Sequence, residues 1–150
     1  MDLILWRHAD AEDGAAGIAD ADRNLTGQGK RHAKIMADWL NAQRPHKLSI
    51  LVSPTKRAIQ TVDTLGHPYK VNRKLGPGAT AADLLAAANW PDEPGTIMLV
   101  GHTPGLGRLA ALLLSGAEAD WTIKKAGVWW FSNRVRSNET QTILRAVCNP

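Results

Sequence analysis

Leu3-Ile4-Leu5-Trp6-Arg7-His8-Ala9 brings four apolar residues straight into an arginine and a histidine. A short apolar run of this length reads as a fully buried strand. Open α/β sheets hold their ligands at the carboxyl edge, and this strand hands Arg7 and His8 to that edge. Taken alone, an Arg-His pair at a strand end reads as two solvated side chains. What the rest of the chain brings to the same edge decides between the two readings.

Two further runs, Leu48-Ser49-Ile50-Leu51-Val52 and Ile97-Met98-Leu99-Val100, have the same buried-strand character. Ser53-Pro54 follows the first, and Gly101-His102-Thr103-Pro104 follows the second. A hydroxyl residue before proline predicts a helix start, with Ser53 and Thr103 as caps. Thr26 is a third predicted cap. Its helix carries Ala33, Met36, Ala37 and Leu40 at i, i+3, i+4 and i+7, and Pro45 ends it.

Ala58, Val62 and Leu65 line a second helix closed by Gly66. Ala79 to Asn89 reads as a third, and Leu106, Leu109, Ala110 and Leu113 as a fourth ended by Ser115-Gly116. Asp10 to Asn24 reads as a loop, Tyr69-Lys70-Val71 as an edge strand and Leu75 to Gly78 as a turn. Gly127 to Ser132 and Thr140 to Val147 read as two strands at the sheet edge. Strand–helix alternation predicts an α/β fold, a three-layer α/β/α sandwich on a mostly parallel sheet, in a single domain spanning 1–150.

Composition narrows the function classes. Of 150 residues, 44% are hydrophobic and 21% charged, which is globular composition and excludes a disordered or fibrous chain. Most of the six tryptophans are expected in packed positions. The net charge of +4 comes from small groups such as Lys30-Arg31-Lys34, Lys56-Arg57 and Lys124-Lys125. None is long enough for a nucleic-acid arm, whereas the sign suits an anionic ligand. The single cysteine, Cys148, leaves no intrachain disulfide and no cysteine metal site. The brief apolar start with Asp2 is unlike a signal peptide, and no run reaches membrane-spanning length, so a soluble cytoplasmic protein is expected.

Three predicted strand ends now carry related chemistry. The first ends in Arg7-His8, the second feeds a helix whose first turn holds Arg57, and the third ends at His102. If the strands are parallel, these four side chains meet on one sheet edge beside two helix N-termini. Helix N-termini offer unpaired N–H groups and partial positive charge, and arginine forks match phosphate oxygens. The expected site is a phosphate pocket with two imidazoles in it.

Arg7-His8-Ala9 resembles the Arg-His-Gly signature of the histidine phosphatase superfamily, whose members include phosphoglycerate mutases and acid phosphatases. Leu25-Thr26-x-x-Gly29, Ser53-Pro54-x-x-Arg57-Ala58-x-Gln60-Thr61 and Val100-Gly101-His102 are similar to that superfamily in order and spacing. The short chain, Asp22-Arg23-Asn24-Leu25-Thr26 and Val100-Gly101-His102-Thr103-Pro104-Gly105 resemble the SixA-type phosphohistidine phosphatase branch. The resemblance is weakest after Gly116.

It implies a phosphoglycerate mutase-like fold, minimal and without a helical lid insertion. It implies that His8 is the nucleophile, that Arg7, Arg57 and His102 bind the phosphoryl group and stabilise its transfer, and that Thr103 adds a phosphate contact. No cofactor or metal is implied. Ala9 stands where the signature has glycine, a small-for-small change unless positive φ is needed. The segment between Gly66 and Thr96 is too short for much of a lid, and Asp10, Glu12 and Asp22 all remain candidate general acids.

An open site without an evident acid suits a bulky substrate with a good leaving group. The expected activity is therefore removal of phosphate from phosphohistidine in a partner protein, such as a phosphorelay domain or related carrier, through a phosphohistidine enzyme intermediate. The alternatives are a small-molecule phosphomonoesterase of the same superfamily and a non-catalytic phosphate-binding module.

Other signals are set aside. Gly105-Leu106-Gly107-Arg108-Leu109-Ala110 imitates a dinucleotide fingerprint, but no later strand supplies a ribose-binding acid. His32, His46 and His67 lack ligand-like spacing and read as surface or loop residues. Asn138-Glu139-Thr140 is a chance glycosylation sequon.

Overall fold

Leu3 and Leu5 face one side of the first strand, Ile4 and Trp6 face the other, and both sides are buried. The computed structural model, which describes residues 1–150, shows why. The strand β1 (Asp2–Arg7) has a parallel neighbour β4 (Thr96–Gly101) on one edge and an antiparallel neighbour β5 (Val128–Arg136) on the other. β2 (Leu48–Val52) lies parallel to β4, and the two-residue β3 (Lys70–Val71) lies parallel to β2. β6 (Glu139–Cys148) pairs antiparallel with β5, so the sheet order is β3-β2-β4-β1-β5-β6.

Helices cover both faces. α1 (Gly27–Gln43) and α2 (Lys56–Asp63) bury Met36, Leu40 and Val62 against Ile4, Trp6, Val52 and Val100. α3 (Ala81–Ala88) and α4 (Gly105–Ser115) bury Leu84, Leu106 and Leu109 against Leu3, Leu5 and Leu99. This is the expected three-layer α/β sandwich with a mostly parallel centre. No helix is long and apolar enough to cross a membrane. Trp6 and Trp130 are buried and Trp39, Trp90 and Trp129 half-buried; Trp121 alone is exposed.

Local signals held where the side chain was free to serve the backbone. The Thr26 hydroxyl accepts from Gly29 N–H and caps α1, and Ala33, Met36, Ala37 and Leu40 are its buried stripe. The two hydroxyl–proline starts need correction. α2 begins only at Lys56, with Thr55 at the cap position, and α4 begins at Gly105 after Pro104; neither has a side-chain cap. Ser53 and Thr103 instead lie in the turns before the helices. The Ser53 hydroxyl lies 2.7 Å from His102 Nε2 and accepts from Thr55 N–H at 3.3 Å, within the turn that leads into α2. α2 also stops at Asp63, before Gly66.

The last two strands run further than expected. They form a ribbon closed by Ser137-Asn138, both with positive φ (52° and 61°), which is the demand of a tight two-residue hairpin turn. Asn133, Arg134 and Arg136 hid this extension, because strands projecting beyond the core need no apolar face.

Gly105 and Gly107 are packing residues. A Cβ at Gly105 would overlap the Ala79 carbonyl oxygen, and one at Gly107 the Trp121 carbonyl oxygen. Close backbone approach thus accounts for the imitation dinucleotide fingerprint. Gly107→Ala should cost about 1–3 kcal/mol of stability through overpacking. At this chain length that lowers the melting temperature by about 2–4 °C per kcal/mol. Gly14→Ala, where nothing lies within 4 Å of the new Cβ, is the control. Equal thermal melting of both variants would remove the packing explanation.

Candidate active site

The carboxyl ends of β1, β2 and β4 are adjacent, because β4 sits between the other two in a parallel set. The ends of these strands are where the expected site residues lie, as the rule for open α/β sheets requires. His8, Arg57 and His102 are all buried, with relative exposures of 8%, 3% and 6%, and Arg7 is half-buried.

His8 is held at every point of its backbone. Its N–H donates to Gly101 O (3.0 Å) and its carbonyl accepts from Ala126 N–H (3.1 Å). The next residue, Ala9, donates its N–H to Thr61 Oγ1 (3.0 Å), and Thr61 in turn donates to the Arg57 carbonyl (2.7 Å). Ala9 is absent from the positive-φ residues, so alanine fits where the family signature has glycine. Gly29 has a steric duty here: a Cβ would overlap the Asp10 carbonyl, so glycine lets α1 press against the chain just after His8.

The His8 ring makes one decisive contact, Nδ1 to Ala9 O at 2.7 Å. A carbonyl can only accept, so Nδ1 carries the proton and Nε2 carries the lone pair. Burial pushes the imidazole pKa down to about 4, against the Ala9 bond, and the charges of Arg57, Arg7 and Arg23 push the same way. His8 is therefore neutral at physiological pH.

His102 lies beside it, with ring centroids 5.0 Å apart and planes tilted by 55°. Its Nε2 is 2.7 Å from Ser53 Oγ and 3.3 Å from Thr55 Oγ1, and the two hydroxyls fix the ring. Burial lowers its pKa to about 3, with help from His8, Arg57 and Arg7 and against the pull of Asp20. Thr103 follows, half-buried, in the turn before α4.

Both arginines are partly used and partly unused. Arg7 donates Nη1–H to Ile123 O (2.7 Å). Arg57 donates Nη1–H to Asp20 O (2.8 Å) and Nη2–H to Asp20 Oδ2 (3.1 Å). The Nε–H of each is buried without a hydrogen-bond partner. A buried unpaired donor costs about 1–3 kcal/mol, more for a charged group. Both guanidinium charges act on the His8 and His102 rings, and an anion able to accept from these donors would relieve that cost. The uncapped first turns of α2 and α4 add N–H groups of the same sign.

The three acid candidates do not converge on this centre. The Asp10 carboxylate is held by Lys125 Nζ (2.7 Å) and the Thr26 hydroxyl (2.8 Å), while Glu12 and Asp22 are exposed. The carboxylate that meets the site is Asp20, from a 3-10 turn in the stretch read as loop. The Arg57 hydrogen bond holds its carboxyl below the usual range, so Asp20 is an anion. Sequence did not single it out: Asp20 has no periodicity and lies just before the Asp22-Arg23-Asn24-Leu25-Thr26 motif, outside it. His46 and His67 are exposed and His32 is half-buried on α1, and no group of three or more His, Cys, Asp or Glu side chains is placed to hold a metal ion.

A family model described as the histidine phosphatase superfamily (branch 1) matches residues 3–77. An uncharacterized protein of Picosynechococcus sp. is 36% identical over 137 residues, 85% of this chain and 82% of its own. The phosphohistidine phosphatase SixA of Escherichia coli is 32% identical over 126 residues, 77% of this chain and 76% of its own. The solved structure of a protein histidine phosphatase SixA complexed with tungstate superposes with a TM-score of 0.77 at 26% identity, covering 99% of this chain and 97% of that one. From the Arg7-His8 strand end to the overall superposition, the similarities agree, and the chain belongs to the histidine phosphatase superfamily, with SixA among its relatives.

Proposed function

We propose that the protein is a phosphatase that takes the phosphoryl group from a phosphohistidine of another protein, with His8 as nucleophile. The observation that carries this reading is the His8 ring itself. It is neutral, its Nδ1–H is tied to Ala9 O, and it stands in the field of two arginines with unpaired buried donors.

In the first step the Nε2 lone pair attacks phosphorus and the bond from phosphorus to the substrate imidazole nitrogen breaks. That nitrogen takes a proton from solvent as it leaves. The positive charge on phosphorylated His8 is relieved through Nδ1–H and the Ala9 carbonyl. In the second step water attacks phosphorus, the bond to Nε2 breaks, inorganic phosphate leaves and His8 returns neutral. Arg7 and Arg57 stabilise charge on the transferring oxygens, and His102 serves as a neutral hydrogen-bonding partner beside them. Thr103 supplies a further phosphate contact.

The preference for phosphohistidine rests on the leaving group. Asp20 is an anion paired to Arg57 and holds no proton to give to an alkoxide. Imidazole leaves more readily than an alkoxide and needs less help. The name of the Escherichia coli relative and the oxyanion in the SixA–tungstate structure support the same reading.

Three results test this. Brief incubation with labelled phosphohistidine protein should leave an acid-labile, alkali-stable phosphoryl group on the enzyme. His8→Ala should abolish the label and cut turnover by about 10³-fold or more; a label that survives the substitution sinks the nucleophile assignment. In a substrate panel, phosphohistidine proteins should outpace sugar phosphates and an aryl phosphate. Faster turnover of sugar phosphates would favour the small-molecule reading, and binding without turnover would favour a docking module.

The pH dependence has a definite sign. His8 should titrate near pH 4 by NMR, well below the ordinary imidazole value of about 6.5. Protonation removes the nucleophile, so activity limited by His8 is kept down to that region and lost below it. Between about pH 6.5 and 4 the unfolded chain binds a proton at this position that the folded chain refuses, so the protein loses stability as pH falls through that window. A midpoint at or above 6.5 would contradict the buried neutral ring.

A further inference from the structure

Trp121 to Gly127 lies in the part of the chain where motif resemblance is weakest, yet it is stitched to the site. Ile123 O accepts from Arg7 Nη1–H, Ala126 N–H donates to His8 O, Ala126 O accepts from the Trp6 indole and Gly127 O accepts from Arg7 N–H. Ile123 and Ala126 are both fully buried, so the two residues between them, Lys124 and Lys125, are held outward at a fixed place beside Arg7. An ordinary solvated lysine pair has no such anchoring.

These lysines form one wall of a groove of about 440 Å³ that Arg7 shares with the phosphate site. Gln28 and His32 of α1 and Asn149 also line it. No aliphatic side chain other than Pro150 lines it. The one side-chain carboxylate lining the groove, Asp10, is already matched by Lys125, and neither Lys124 nor Arg7 has a side-chain ion-pair partner.

We propose that this groove docks an acidic segment of the phosphoprotein substrate, with carboxylates near the phosphohistidine seated between Lys124 and α1 while the phosphoryl group meets His8. The inference rests on the phosphatase reading and adds its specificity determinant. A polar, cationic groove that shares Arg7 with the phosphate site fits a chain of carboxylates, whereas an apolar partner would find nothing to bury. Exposed cations at a rim act on encounter and on KM, and their effect is screened by salt.

The test compares two phosphohistidine peptides, one flanked by aspartate and glutamate and one by serine and glutamine, with the unphosphorylated acidic peptide as an inhibitor of aryl phosphate hydrolysis. The wild type should favour the acidic substrate through KM. Lys124→Glu should lower the acidic-to-neutral ratio of kcat/KM by about fivefold, and 0.5 M salt should do the same. Arg136→Glu, at the opposite end of the sheet, should leave the ratio alone. Equal use of both peptides by the wild type, or a ratio that Lys124→Glu does not move, overturns the groove and leaves the phosphohistidine reading standing. If neither peptide is turned over but the acidic one still inhibits, less so with Lys124→Glu, the groove stands and the phosphohistidine reading falls. Stronger inhibition by an oligonucleotide than by the acidic peptide also overturns the proposal.

Discussion

Burial of β1 on both faces and along both edges leaves its polar residues only the strand ends. Asp2 sits at one end and Arg7 and His8 at the other. Because β2 and β4 run parallel to β1, their own exits fall at the same edge, and the turns that follow them bring Ser53, Thr55 and His102, with Arg57 in the first turn of α2. The site is therefore a consequence of strand direction. An antiparallel β2 or β4 would have sent one of these groups to the far end of the sheet.

Placing two histidines and two arginines together in a buried corner is costly, and the molecule meets the cost in separate ways. The histidines give up their charge, because desolvation and the guanidinium fields both oppose protonation. The arginines stay charged and are held by carbonyl oxygens of Ile123 and Asp20 and by the Asp20 carboxylate. What is left over is one buried, unpaired N–H on each guanidinium, the donor that the proposed phosphoryl transfer would use. Residual frustration at a site is what allows a ligand to bind there in preference to solvent.

The two ends of the chain cooperate across more than 110 residues of sequence. The loop before β5 fixes Trp6, Arg7 and His8 through four hydrogen bonds and carries the Lys124-Lys125 pair. Thr61 performs a similar service from α2, joining Ala9 to the Arg57 carbonyl. Positioning in this protein is thus spread over elements that contribute no reacting atom.

Much of this was legible in the residues. The apolar runs mark three core strands, the Thr26 cap and its stripe mark α1, and Arg7, His8, Arg57 and His102 stand at or just beyond strand exits that the residues alone define. These are local properties, set by side-chain period and backbone chemistry within a few residues. Asp20 on Arg57, Ser53 on His102 rather than on a helix end, the tautomer of His8 and the groove beside Lys124 were not legible, because each depends on partners distant in sequence. A hydroxyl has one proton to give and a carbonyl one place to stand. Which partner receives them is decided only when the sheet brings the strands side by side.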